Sequence, residues 1–236
     1  MGQGPRRPPG ERTRRRTGAG GHGAVQAVAG ARMSLVAALD LVAVFVFALS
    51  GALLAGRKGL DVFGMFVAAV VTGVGGGTLR DVLLDRAVFW LADGRWLAAA
   101  MAATAVVFVF GQAIERREKP LRWIDAMGLA VATPLGVAAA RAEGADWTIM
   151  IAMGVITASF GGMIRDVLCG APPMILHREV YALAALGGAA VNLVVYDVTD
   201  GGRWAAAGAC AAATFAIRAG AILRGWSAPQ WRGFGA

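Results

Sequence analysis

An internal duplication constrains the fold of this 236-residue chain more than any other feature of its sequence. When the sequence is shifted by 85 residues against itself, 15 of the 45 positions in residues 40–84 are identical without a gap. The matched residues include Asp40 and Asp125, Gly51 and Gly136, Asp61 and Asp146, Thr72 and Thr157, Gly76–Gly77 and Gly161–Gly162, and Arg80–Asp81 and Arg165–Asp166. Glycines and charges matched in register indicate that one structural unit occurs twice.

The composition indicates that this unit lies in a membrane. Hydrophobic residues make up 57% of the chain and charged residues only 16%, with a mean hydropathy of +0.60, whereas soluble domains carry about 25% charged residues. Crossing a bilayer takes roughly 20 apolar residues in a helix. Seven segments approach this length, at about residues 35–55, 60–74, 96–113, 123–140, 147–164, 180–196 and 204–222. We therefore predict an all-α polytopic membrane protein with seven transmembrane helices.

The number of spans in each copy predicts how the copies are related. Residues 33–119 form a first repeat of three helices, residues 120–200 a second, and residues 201–236 a seventh helix with a C-terminal tail. Because three is odd, the second repeat enters the membrane from the opposite side. Inverted repeats of this kind place a transport path at their interface near the middle of the membrane.

The basic N-terminal segment does not indicate nucleic-acid binding. Residues 1–32 carry seven arginines and one glutamate, which accounts for +6 of the net charge of +8. Their Arg/Gly/Pro-rich composition predicts a disordered tail, unless translation begins at Met33. Basic residues in the loops, ten on one side against four on the other, predict an external N-terminus and a cytoplasmic C-terminus.

Both copies carry a glycine motif that is followed directly by an arginine and an aspartate. Only 15 residues of the second span precede Gly75, Gly76 and Gly77, which is too short to cross, so we predict that the second and fifth helices are broken there. Gly161 and Gly162 occupy the corresponding place in the fifth helix. Carbonyl groups bared by such a break suit a cation.

Charged side chains within these spans need partners, because each costs roughly 2.5–3.5 kcal/mol on insertion scales. Neighbours in sequence project in different directions, so we expect Arg80 to pair with Asp166, and Arg165 with Asp81, across the repeats. Asp40 and Asp125 either line a pore or lie at helix ends. Thr72 and Thr157 either bond a carbonyl one turn back or line a path.

The sequence does not favour an enzyme. The stretch GVGGGTLR lacks the lysine and serine or threonine of a phosphate-binding loop and follows a helix instead of a strand. With two histidines and two cysteines in the whole chain, we expect neither a metal centre nor a bound cofactor.

The stretch LDLVAVFVFALSGALLAGRKGLDVFGMFVAAVVTGVGGGTLRDVLL, with the later GGMIRDVLCGAPPMILHREVYALAALGGA, resembles the prokaryotic branch of the trimeric intracellular cation (TRIC) channel family. This family has also been catalogued as glycine-transporter-like membrane proteins. The resemblance covers about residues 35–222 and implies a homotrimer in a prokaryotic plasma membrane. Each protomer would then contain its own pore, permeable to potassium and some sodium, with membrane lipid as a further partner.

The resemblance also implies roles for individual residues. The five motif glycines would be the kinks of the pore helices, and Arg80, Asp81, Arg165 and Asp166 the charged groups that border the pore. Phe160 departs from the family pattern, because a third glycine is usual there, and it would stiffen the kink or narrow the path. The fourth span has no lysine, so the gating lysine of animal members has no counterpart. A carrier of glycine or another small amino acid fits the same fold and is the alternative.

Overall fold

A computed structural model of the chain describes residues 1–2, 35–115, 120–176 and 180–227. The predicted tail, apart from its first two residues, and the proposed start at Met33 lie outside the described residues. The described residues form seven α-helices and one short 3₁₀ helix, Met174–Leu176, between the fifth and sixth. The α-helices are α1 (Leu35–Arg57), α2 (Val62–Leu83), α3 (Arg95–Glu115), α4 (Pro120–Ala142), α5 (Trp147–Leu168), α6 (Ala182–Val198) and α7 (Arg203–Arg224). The predicted all-α fold with seven helices is confirmed.

Most of these helices have the length and composition of membrane spans. Within the described residues, α1, α2, α4, α5 and α7 are each long and apolar enough to cross a bilayer. The apolar parts of the other two helices, Arg95–Gly111 and Ala182–Val198, are shorter. At 1.5 Å per residue, the 17 residues of α6 extend over about 25 Å. The protein is a multi-pass membrane protein.

The turns that join the first two helices of each repeat share one design. Gly59 and Gly144 adopt φ angles of 76° and 70°, in the left-handed region that suits glycine at the end of a helix. Asp61 and Asp146 then cap α2 and α5. Hydrogen bonds from the Thr148 hydroxyl and from nearby backbone amides lower the pKa of the Asp146 carboxyl. Both turns therefore end one helix and start the next in the same way.

The repeats meet where α2 and α5 pack against each other at their glycine motifs. A Cβ atom added to Gly76 would lie 2.1 Å from the Thr157 carbonyl oxygen, and one added to Gly161 would lie 2.2 Å from that of Thr72. Because Gly161 and Thr157 are the repeat counterparts of Gly76 and Thr72, these contacts are reciprocal, as at a two-fold axis. This close approach, the glycine crossing, agrees with the predicted inverted repeat.

The predicted break in the second and fifth helices is wrong. Val62–Leu83 and Trp147–Leu168 are each one uninterrupted α-helix of 22 residues, about 33 Å long and sufficient to cross the membrane. Glycine weakens a helix but does not end it, because it keeps its backbone N–H. The motif glycines act by lacking a side chain, which lets two backbones touch, as small residues do in other membrane helix pairs.

The seventh helix makes the two halves of the bundle unequal. α7 packs mainly against α4 and α6, which both belong to the second repeat. Buried α7 residues at this contact include Cys210, Thr214 and Arg218, and Gly188 of α6 makes room for Thr214. The second repeat is therefore covered by a helix that has no counterpart on the first.

We expect Gly76→Ala to lower the thermal stability of the protein. The added methyl group would overlap the Thr157 carbonyl of the neighbouring helix, and overpacking of this kind costs about 1–3 kcal/mol. The matched control is Gly208→Ala in α7, where an added Cβ meets no atom within 4 Å. Thermal unfolding in detergent micelles measures both variants. Equal stability of the two would contradict a close crossing at Gly76.

Candidate functional site

Two clusters of charged residues flank the glycine crossing, one formed within each repeat. The first charge cluster consists of Asp40, Arg80 and Asp81, and the second charge cluster consists of Asp125, Arg165 and Asp166. Each member of one cluster is the 85-residue counterpart of a member of the other. In each cluster two carboxylates share a single guanidinium group, which leaves one formal negative charge.

The first charge cluster is partly open. Arg80 Nε donates a hydrogen bond to Asp81 Oδ1 over 2.8 Å, while its Nη1 lies 3.5 Å from Asp40 Oδ1. The Asp40 side chain remains 18% exposed. The Arg80 guanidinium also lies 5.6 Å from the centroid of the Phe89 ring. Arg80 is therefore held firmly by its sequence neighbour and more loosely by the carboxylate of α1.

The second charge cluster is closed. Arg165 Nη1 donates to Asp125 Oδ1 over 2.5 Å, and Nη2 and Nε donate to Asp166 Oδ1 over 2.7 and 2.9 Å. The side chains of Arg165 and Asp125 are both 0% exposed. Arg165 Nη1 also donates to Ser50 Oγ over 2.8 Å, which is a contact with α1 of the first repeat. Ion pairs this deeply buried need such complete hydrogen bonding.

The predicted pairing of arginines and aspartates across the repeats is wrong. Arg80 pairs with Asp81 and Arg165 with Asp166, in each case the next residue along the same helix. Although neighbouring Cβ atoms diverge on a helix, the long arginine side chain curls back far enough to reach the adjacent carboxylate. The remaining donors reach α1 or α4 of the same repeat. Asp40 and Asp125 are thus partners of the arginines, inside the bundle.

The second oxygen of each motif aspartate holds the segment that follows its helix. Asp81 Oδ2 accepts a hydrogen bond from the Phe89 backbone N–H over 3.0 Å, and Asp166 Oδ2 accepts one from that of Met174 over 2.9 Å. Phe89 and Met174 are also 85 residues apart. Each aspartate therefore orients an arginine and fixes a loop against the end of its helix.

The two threonines adopt different arrangements. Thr72 Oγ1 donates to the Ala68 carbonyl one turn back over 2.6 Å. Thr157 Oγ1 is buried and has no hydrogen-bond partner among the described residues. Thr157 lines a cavity of about 20 Å³ next to Arg80. We call this the Arg80 cavity; its lining residues are Asp40, Ala43, Val44, Phe47, Gly73, Gly77, Arg80, Phe89, Ala132, Leu135 and Thr157.

The Arg80 cavity lies between the repeats. Its walls come from α1 and α2 of the first repeat and from α4 and α5 of the second. Because a cavity needs roughly 10–15 Å³ to hold a water molecule, it has room for about one. Gly77 lines it, and a Cβ atom there would lie 2.6 Å from the Phe89 ring. Phe160 is half buried and is not among its lining residues.

The surroundings of the two clusters have diverged at three positions. Ser50, which bonds Arg165, corresponds to the apolar Leu135 on the side of Arg80. Trp96 corresponds to Tyr181, whose ring lies 5.1 Å from the guanidinium of Arg218 in α7. The second cluster therefore gains a polar contact from α1 and a nearby cation from the seventh helix. These additions close it more tightly than the first.

The sequence prediction did not include Ser50, Phe89, Met174 or Tyr181. A polar residue in an apolar helix, such as Ser50, is a signal in itself, but its partner lies 115 residues away in the chain. Met174 and Tyr181 are apolar or aromatic and resemble ordinary packing residues. Only their 85-residue offset from Phe89 and Trp96 distinguishes them.

Fold and site together define a class of multi-pass membrane protein, one built from an inverted repeat with a charge cluster in each half. The profile of a family described as "Glycine transporter" matches residues 37–112 and 122–197. Both ends of the second match lie 85 residues after those of the first, which agrees with the duplication. The chain belongs to this family, the prokaryotic branch of the TRIC channels.

Relatives and solved structures support this assignment. The inner membrane protein YadS of Escherichia coli K12 is 46% identical over 164 residues, which cover 69% of this chain and 79% of that protein. A TRIC trimeric intracellular cation channel orthologue from Rhodobacter sphaeroides is 41% identical, with a TM-score of 0.76, over 80% of this chain and 98% of that one. A structure determined to explain conductance through TRIC cation channels is 29% identical, also with a TM-score of 0.76. That match covers 86% of this chain and all of the other.

We expect Asp125→Asn to destabilise the protein far more than Asp40→Asn. Asp125 is fully buried and directly bonded to Arg165, and breaking a buried ion pair costs about 3–5 kcal/mol. Asp40 is partly exposed and 3.5 Å from Arg80, so its loss is expected to cost about 1 kcal/mol or less. Thermal unfolding in micelles compares the two. A larger loss for Asp40→Asn would mean that the first cluster is the closed one.

Proposed function

We propose that the protein is a passive, potassium-permeable channel for monovalent cations, with a pore through each protomer at the interface of the inverted repeats. One observation carries this proposal. The first charge cluster, which has one carboxylate more than it has guanidinium groups, adjoins a cavity that both repeats line, directly beside the glycine crossing. The similarity to solved TRIC cation channels supports it.

The charge of the clusters favours a cation over an anion. Each cluster carries two aspartates and one arginine. A formal negative charge in a low-dielectric site concentrates counter-ions of opposite sign, and rings of acidic side chains select cations in channels. The Thr157 hydroxyl adds an oxygen in the same cavity that is free to bind a cation or its water.

The two clusters differ in how far they obstruct this route. At the first, Asp40 is accessible and the Arg80 cavity has room for about one water molecule. At the second, Arg165 is bonded to Asp125, Asp166 and Ser50 and excludes solvent. Opening the pore would require Arg165 to leave Ser50, so we infer that this conformation is closed at the second cluster.

The assembly and surroundings follow from the family. We infer a homotrimer, as in the trimeric orthologue from Rhodobacter sphaeroides, that is embedded in membrane lipid in the prokaryotic plasma membrane. The basic loop residues favour an external N-terminus and a cytoplasmic C-terminus. We propose neither an enzymatic activity nor a bound cofactor or nucleic-acid partner; the permeant ions are potassium and sodium.

A carrier of glycine or another small amino acid is the second candidate. The description of the matching family names glycine transport, and a cavity with both a guanidinium and a carboxylate offers partners for each end of a zwitterion. The cavity has room for only about one water molecule, so a carrier would have to expand it considerably to admit an amino acid.

Single-channel recording distinguishes these candidates. The protein is expressed from Met33, purified and placed in planar bilayers under a potassium gradient. A channel gives discrete unitary currents that reverse near the potassium equilibrium potential, and Gly76→Leu or Arg80→Ala is expected to alter them. Absence of currents, together with saturable uptake of labelled glycine by liposomes that contain the same protein, would establish the carrier instead.

We expect Asp40→Asn to lower the unitary potassium conductance roughly threefold, because it removes the formal negative charge from the open cluster and with it the local enrichment of cations. It should also reduce the permeability ratio of potassium to chloride, measured from the reversal potential. Asp61→Asn, at the exposed N-terminal cap of α2, is the matched control. Equal conductance of both variants would place the ion pathway away from Asp40.

A further inference from the structure

A second cavity, of about 240 Å³, lies at the end of the bundle where α4 begins and α7 ends. We call it the Arg122 cavity. It is lined by Arg122, Arg218, Ala221, Ile222, Gly225, Trp226 and Ser227. It shares no lining residue with the Arg80 cavity. The conduction route proposed above therefore does not account for it.

The charge of this cavity is positive. Arg122 and Arg218 both line it, and of the described residues that do so none is acidic. Arg122 is exposed, whereas Arg218 is only 1% exposed, with its guanidinium over the Tyr181 ring. Two guanidinium groups at one cavity suit an anion with several oxygens, because each can donate two parallel hydrogen bonds.

The position of the cavity corresponds to the boundary between membrane and water. Arg122 is the third residue of α4, and α7 ends at Arg224, just before Gly225 turns the chain with a φ of 67°. Trp226 then folds back so that a Cβ atom on Gly220 would lie 2.9 Å from its ring. Tryptophan is enriched at the level of lipid headgroups, and a long arginine reaches that level from within a span.

The wall of the cavity is apolar on its membrane side. Ala221 and Ile222 contribute apolar lining, and the adjacent Leu223 is 72% exposed on the surface of α7. A ligand with a phosphate at one end and hydrocarbon at the other would match both parts. Inorganic phosphate would match only the arginines.

We propose that the Arg122 cavity binds a phosphate group, and that Arg122 and Arg218 are its principal donors. Its source is either an anionic phospholipid headgroup or free phosphate, which share this chemistry. The apolar wall and the interfacial depth favour the lipid. Neither the family description nor the proposed conduction route assigns a function to these residues, and the site does not depend on ion conduction.

The test uses the full chain in detergent micelles. It is titrated separately with dioleoylphosphatidylglycerol, dioleoylphosphatidylcholine and inorganic phosphate, and bound ligand is counted by native mass spectrometry. We expect saturable binding of phosphatidylglycerol, weakened about fivefold in Arg122→Gln, since a basic residue near an anionic headgroup contributes roughly that factor. Arg122→Lys, which keeps the charge, should retain part of the affinity.

Arg224→Gln is the matched control. Arg224 lies at the same end of α7, with its guanidinium 5.6 Å from the Trp226 ring, but it does not line the cavity. The variant should bind phosphatidylglycerol as the unsubstituted protein does. Equal weakening in Arg122→Gln and Arg224→Gln would overturn the proposal, because the attraction would then be a general effect of positive charge.

The remaining outcomes also decide the question. Arg122-dependent binding of inorganic phosphate that matches or exceeds that of phosphatidylglycerol would keep the phosphate site and assign it to a free anion. Absence of binding in all three titrations would overturn the proposal. Binding that appears only in a chain ending at Ser227 would also overturn it, since residues 228–236 would then occupy the cavity in the full chain.

Discussion

The contact between the backbones of α2 and α5 is the constraint on which the rest of the arrangement depends. Gly76 and Gly161 permit it, since any side chain there would overlap a carbonyl of the facing helix. Arg80 and Arg165 follow these glycines by four residues and so lie on the same helical face, one turn further on. The crossing therefore places both arginines at the interface of the repeats and directs them to opposite sides of the membrane.

Each repeat neutralises its own arginine before it meets the other. Asp81 and Asp166 act from within the same helix, and Asp40 and Asp125 from the first helix of the same repeat. A charge inside a membrane is costly unless it is paired, so this local pairing lets a three-helix unit carry its arginine safely. The bond between Arg165 and Ser50 is a contact across the repeats that was added to this scheme.

The seven helices and their inverted repeat could be predicted from the sequence, because apolar length and an 85-residue offset survive in the order of residues. The pairing of Arg80 could not, since a helix projects neighbouring side chains apart and only the three-dimensional structure reveals that the guanidinium curls back to Asp81. Nor could the unbroken course of α2. A glycine that loosens a helix and one that admits a neighbouring backbone are identical in sequence, and only the position of Thr157 distinguishes them.

The exchange of Ser50 for Leu135 between the repeats has an electrical consequence. Arg165 is bonded to a hydroxyl of the opposite repeat, whereas the cavity of Arg80 has a leucine at the equivalent place. An ion travelling between the repeats would therefore meet a different barrier from each side of the membrane. Currents through such a path would rectify, passing more easily in one direction than in the other, although the scaffold around it is nearly symmetric.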